Sequence, residues 1–387
     1  MKKSLLALAV AAALPAVAQA QSSVTLYGIL DASLEYSNAD ANTAISVING
    51  TPTVGDSTFR LNSGLGSGSR FGVRGVEDLG GGLKAIFTLE AGLNVDTGQT
   101  ITSGSTQANA FWARQSWVGL QGGWGQFTAG RQYTPIFWAL IPADFTGYGW
   151  YNNWGGYTGT GFGPITPQGP VRLDNSLAYK SPTFGGLTVY AMYAFGETSC
   201  STSEATCTQV GANSAAVGGG GDIWGLAAGW QWGGLYVGGG YHQIQSTRNL
   251  TPIQNGGGGS LDSIWAIAGS YSFGAFGVSL GYTGLSFSNT GEVTNILASA
   301  FWNILGGTFY LNYSYLDVSG FRGVGGYVGG NGNQVGLTYA RPLSKRTDWY
   351  VAYGYNELSA LTPTAAANTA IGDLNPMRIA VGLRHRF

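Results

Sequence analysis

SIWAIAGSYSFGAFGVSLGYTGLSFSNTG, residues 263–291, carries no charge and is long enough to cross a bilayer as a helix. Its six glycines and six serines argue against that, because a helix tolerates both poorly. Its apolar residues follow a period of two: Phe276, Val278, Leu280 and Tyr282 oppose Gly277, Ser279, Gly281 and Thr283. The segment therefore reads as two strands, and Phe273-Gly274-Ala275 is short enough to join them as a hairpin.

The same alternation recurs along the whole chain. Strands are expected near Val24–Tyr36, Ser69–Val76, Leu83–Leu93, Trp112–Leu120, Gln126–Gln132, Arg172–Lys180, Leu187–Phe195 and Ile223–Gln231. They continue at Leu235–Gln245, Ser263–Tyr271, Phe276–Ser286, Thr294–Asn303, Thr308–Asp317, Gln334–Pro342, Asp348–Glu357 and Arg378–Phe387. That makes sixteen segments of about ten residues, the length a tilted strand needs to span a bilayer. Short links such as Glu77–Gly82 and Ser181–Gly186 alternate with long polar ones such as Ser37–Gly68, Tyr133–Val171 and Gly196–Asp222. Short turns on one side and long loops on the other, with one apolar face per strand, describe a closed all-β transmembrane antiparallel barrel.

Composition agrees. Only 10% of the 387 residues are charged, against roughly 25% in a soluble domain, and 65 are glycine. The start of the chain is for targeting: Lys2 and Lys3, the apolar run Leu5 to Leu14 and Ala18-Gln19-Ala20 read as a cleaved signal peptide over residues 1–20. The barrel then occupies 21–387. Losing two lysines leaves sixteen basic against nineteen acidic residues, a formal charge of −3, too small to imply a nucleic-acid partner. Cys200 and Cys207, in an exported chain, read first as a disulfide in the external loop after the seventh strand, with free thiols as the alternative. A metal site is disfavoured, because only His242 and His385 could assist it.

Parity assigns charges to the inner face: Asp31 and Glu35 in the first strand, Arg70 and Arg74 in the second, Lys84 and Glu90 in the third, Arg172, Asp174 and Lys180 in the sixth, and Arg378, Arg384 and Arg386 in the last. A polar interior in a barrel of this size implies water. Arg70, Arg114 and Arg172 could stack along one wall of a pore. Arg131 shares parity with Phe127 and Ala129, so either the strand bulges there or the residue meets another subunit. The loop 133–171 holds one charged residue, Asp144, and many rings, so it is expected to fold into the lumen, as packing or as an aromatic track for sugars. Gly277-Val278-Ser279-Leu280-Gly281 matches G-x-S-x-G, but a nucleophile elbow needs a strand-to-helix turn and this Ser lies mid-strand, so no enzyme is expected.

Gln21 to Gly28, Ser69 to Gly80, Gly130-Arg131-Gln132-Tyr133 and the terminal Gly382-Leu383-Arg384-His385-Arg386-Phe387 resemble the Gram-negative general porins, especially the β-proteobacterial type. The resemblance covers the mature chain. It implies a homotrimer of sixteen-stranded barrels in outer-membrane lipid and lipopolysaccharide, passing small hydrophilic solutes without a cofactor. It also implies that Arg70, Arg114 and Arg172 form a basic constriction facing Asp144, and that Phe387 is the assembly signal. The expected function is passive diffusion with mild anion preference. A sugar-selective porin and a non-conducting structural or adhesive barrel are the alternatives.

Overall fold

The structure, a computed structural model, describes residues 22–38, 56–101, 111–151, 171–196, 222–245, 261–287, 291–323, 326–358 and 375–387. The expected leader over residues 1–20, and Cys200 with Cys207, lie outside them. Sixteen antiparallel wall strands are present among the described residues. They are β1 (Ser23–Ser37), β2 (Thr58–Ser63 and Arg70–Gly80), β3 (Leu83–Leu93), β4 (Gln115–Gly122), β5 (Gly125–Tyr133), β6 (Arg172–Lys180), β7 (Leu187–Ala194) and β8 (Ile223–Trp232). The second half comprises β9 (Leu235–Ile244), β10 (Leu261–Phe273), β11 (Phe276–Phe287), β12 (Gly291–Ile304), β13 (Gly307–Gly323), β14 (Gly326–Pro342), β15 (Thr347–Leu358) and β16 (Met377–Arg386). A helix of six residues, α1 (Pro135–Leu140), follows β5 and runs into a 3-10 turn at Ile141–Ala143.

Each strand pairs with its neighbours in sequence, and β1 closes the sheet. It pairs β16 from Ile29↔Arg386 to Ser37↔Arg378, and pairs β2 on its other edge through both segments of that strand. Closure leaves no strand edge, as a hydrocarbon surrounding requires. The turns are as tight as the hairpin reading predicts. Phe273 pairs Phe276 across Gly274-Ala275, and Ile304 pairs Gly307 across Leu305-Gly306, both of whose φ values are positive as a type I′ turn demands.

The two faces differ as the alternation requires. Leu26, Leu30 and Leu34 of β1 are exposed while Asp31, Ser33 and Glu35 are buried; Val278 and Leu280 of β11 are exposed while Ser279 and Thr283 are buried. Such an inside-out pattern is stable only in lipid, where a charge on the outer face at mid-bilayer costs roughly 2–4 kcal/mol.

Three local departures from simple alternation matter for the site. The chain leaves β2 at residues 64–69 and resumes the wall at Arg70, so the segment expected to begin at Ser69 is preceded by a short one, Thr58–Ser63, that lies inside what reads as a long loop and pairs the same edge of β1. Arg114, expected on the fourth strand, immediately precedes β4, which starts at Gln115. Between β5 and β6 the register shifts at Gly130/Gln132, with Asn175 at φ 51°, which is a bulge. Beside the bulge Leu173 and Asp174 depart from the expected parity, while Arg172 at the first position of β6 still reaches the Tyr133 phenol. Leu173 joins an apolar cluster with Ile136, Leu140, Met192 and Tyr236, and Asp174, expected among the lumen charges, instead meets Arg131.

Candidate functional site

The described charges that pair with one another lie on one arc of the wall. Arg70 opens the long segment of β2, pairing Ile29 and Gly92, and its Nε donates to the Gly68 carbonyl at 2.9 Å. Arg114 donates from Nε to Glu90 Oε1 at 2.6 Å and from Nη2 to Tyr133 Oη at 2.8 Å. Arg172 donates to the same phenol oxygen at 2.8 Å, and its guanidinium lies 4.4 Å from the centroid of that ring. Tyr27 Oη donates to the other Glu90 oxygen at 3.0 Å. Arg70 lies in the fields of both Arg114 and Glu90. Arg114 and Arg172 thus share the Tyr133 phenol, Arg114 also bonds the Glu90 carboxylate, and Arg70 lies in the field of both groups. Charge-assisted hydrogen bonds of this kind offset the cost of half-burying guanidinium groups. The three arginines singled out by sequence come together; Glu90, Tyr27 and Tyr133, which join them, carry no sequence signal for that role beyond inward parity.

Asp144 is committed elsewhere. Its Oδ1 accepts from Thr146 N at 2.9 Å and Thr146 Oγ1 at 2.8 Å, and its Oδ2 accepts from Tyr148 N at 2.6 Å. Those bonds shape the turn after the 3-10 segment, as an Asp does when it caps its own chain.

The remaining acids act as anchors. Asp31, wholly buried, accepts from Tyr350 Oη at 2.7 Å and Ser67 N at 2.9 Å. Glu35, also buried, binds Arg60, Asn62 at 3.1 Å and Tyr151 Oη at 2.7 Å. Asp348 holds Arg384 and Arg386, and Arg384 donates to Gly66 O at 3.0 Å while lying over the Trp150 ring. Residues 64–69 and 147–151 are thereby tied to each other, with Trp150 N donating to Leu65 O at 2.8 Å. Arg131 binds Asp174 at 2.7 Å and the Ala113 carbonyl, so its guanidinium is satisfied within its own chain.

Segment 134–151 touches much of the inner face. Ile136 N donates to His242 Nε2, Tyr236 Oη donates to Ala139 O, Phe145 packs edge-on to Phe301, and Gln334 Nε2 donates to Tyr151 O. Its rings also pack on one another: Tyr133 and Phe137 stack at 3.9 Å, and Phe137 meets Tyr148 at 5.2 Å. Trp154 and Tyr157 lie outside the described residues. Arg74 lies exposed over Tyr27, Lys84 is exposed, and Lys180 lies near Trp138 and Tyr190. The strands β7, β8, β9 and β11 carry no charged residue, whereas the bonded inner-face charges lie on the arc that runs from β15 and β16 through β1 to β6.

Residues 7–361 match a family described as Gram-negative porin. The whole chain is 31% identical to the full length of an outer membrane porin protein of Bordetella pertussis. About half of it, 51%, is 40% identical to half, 50%, of outer membrane porin protein 32 of Delftia acidovorans. Among solved structures it resembles an anion-selective porin from Comamonas acidovorans, with a TM-score of 0.68 and 26% identity over 95% of this chain and 100% of that one.

Proposed function

The chain belongs to the Gram-negative porin family, and from that premise we propose that it forms a water-filled channel for passive diffusion of ions and small hydrophilic solutes across the outer membrane, with mild anion preference. The observation that carries the preference is the grouping of Arg70, Arg114 and Arg172 around Tyr133, where among the described residues Glu90 is the one carboxylate bonded to them. Screening confines fields to ~8 Å in physiological salt, so these groups outweigh the acidic total of the chain. The anion selectivity of the Comamonas relative is consistent with that sign.

In this reading the loop 133–171 narrows the pore against the basic arc, and residues 1–20 are removed on export. Its support is the set of contacts from Ile136, Ala139, Phe145 and Tyr151 to inner-face residues. The rings stacked on one another favour packing over a sugar track. Glu90 takes the acidic role that the resemblance assigns to Asp144. The assembly is a homotrimer in lipid and lipopolysaccharide, without catalysis, and Phe387 serves as its assembly signal. Because Arg131 is bound to Asp174, an effect of Arg131→Ala on the trimer would act through the β5–β6 bulge. The test is the zero-current potential in a salt gradient across a planar bilayer. Anion preference is expected, and it should vanish on neutralising Arg70, Arg114 and Arg172 together; an unchanged potential in that triple variant would overturn the assignment.

A further inference from the structure

A cleft of about 300 Å³ opens on the inner wall between α1 and the short turns, beside the arginine cluster, with which it shares Tyr27. Its floor runs from Tyr27 and Arg74 to Lys180 and Tyr190, and Pro135 and Trp138 of α1 cover it. Among the described residues no acidic one lines it. The end nearest β7 sets one ammonium beside two rings. Lys180 Nζ lies 5.9 Å from the Trp138 ring and 5.7 Å from the Tyr190 ring, and Trp138 is 39% exposed although every other described hydrophobic residue of α1 is buried. Gln126 pairs Lys180 across β5 and β6, adding an amide at the rim. No carboxylate lies within ion-pair distance of Lys180 among the described residues.

We propose that this cleft binds small single-ring aromatic carboxylates, seated against Trp138 and Tyr190 with the carboxylate on Lys180. An ammonium alone would hold any small anion equally. The two rings add flat apolar faces beside the ammonium, and ring contacts of this kind favour an aromatic solute over an aliphatic one. The cleft is at the small end of ordinary ligand pockets, which suits one ring and excludes oligomers. Pro135 restricts the start of α1 and Tyr236 bonds its end at Ala139, so Trp138 is presented by a fixed element rather than a free loop. The proposal rests on the channel reading only for the route by which the solute arrives.

The experiment measures block of the chloride current in planar bilayers by benzoate and by acetate, alongside saturation-transfer NMR of benzoate on the folded protein in detergent. Benzoate should block at a concentration about tenfold below acetate. Lys180→Gln and Trp138→Leu, each compared with its own open current, should raise the benzoate concentration needed by a similar factor and weaken saturation transfer to the benzoate ring. Equal block by the two anions, or saturation transfer indifferent to both substitutions, would overturn the site. A protein that does not conduct would refute the channel reading, while saturation transfer that disappears in Lys180→Gln would still uphold the cleft.

Discussion

The Tyr133 phenol oxygen accepts from two guanidinium groups at once, those of Arg114 and Arg172. Two like charges converge there because a shared acceptor and the nearby Glu90 carboxylate offset their repulsion. Tyr133→Phe should therefore destabilise the folded barrel by about 1.5–3 kcal/mol in a urea titration in lipid vesicles, since hydrogen bonds to charged groups are of that size. The sign of ion selectivity should survive, because every charge remains. Glu90→Gln removes the one carboxylate among three cations and should increase anion preference. Asp144→Asn should alter it far less, because that carboxylate is turned into its own chain by Thr146 and Tyr148. Zero-current potentials of the two variants measured side by side decide which acid faces the ions.

At the scale of the element, segment 134–151 is held by polar anchors at its far end and by apolar packing at its start. Ile136 and Leu140 are completely buried among Met192, Ile223 and Ile264, so α1 is seated by area removed from water. Residues 147–151 depend instead on Tyr151 with Glu35, Trp150 with Leu65, and Arg384 beside Trp150. Close approach is built into the wall there: a Cβ at Gly354 would come within 2.8 Å of the Tyr151 ring. Tyr151→Phe combined with Glu35→Gln should loosen that end and raise the open-channel conductance, read directly from single-channel steps. Gly354→Leu should displace the same end sterically, and an equal conductance change from both routes would trace the effect to the segment rather than to the missing charge.

The whole molecule depends on closure between its first and last strands. Gly28 and Phe387 exchange backbone hydrogen bonds at the seam, and a Cβ at Gly28 would come within 2.7 Å of the Arg70 carbonyl oxygen, a backbone atom that cannot swing aside. Gly28→Val should therefore lower the yield of folded, heat-modifiable barrel much more than the same change at Gly123, where an added Cβ meets nothing. Because an open edge cannot be satisfied in hydrocarbon, a barrel that fails to close does not fold at all, rather than folding weakly.

Alternation by itself determined the architecture. Sixteen strands, their order, the short and long connections and the lipid-facing side were legible because a bilayer penalises every charge on the outer face and every unpaired backbone group. Tertiary structure decided which inward charges act together. Parity can place Glu90, Asp31 and Glu35 on the inner face, yet it says nothing of height or of partners across the barrel. Distances such as Tyr151 to Glu35, separated by 116 residues, arise only when the sheet closes. The bulge at Gly130/Gln132 shows the same limit locally: one register shift inverts the faces of the residues beside it, so Leu173 and Asp174 exchanged their expected surroundings. The helix α1 escaped notice in the sequence because six residues are too few to display a helical period, and it is stabilised by the wall it packs against rather than by its own residues' helical preference.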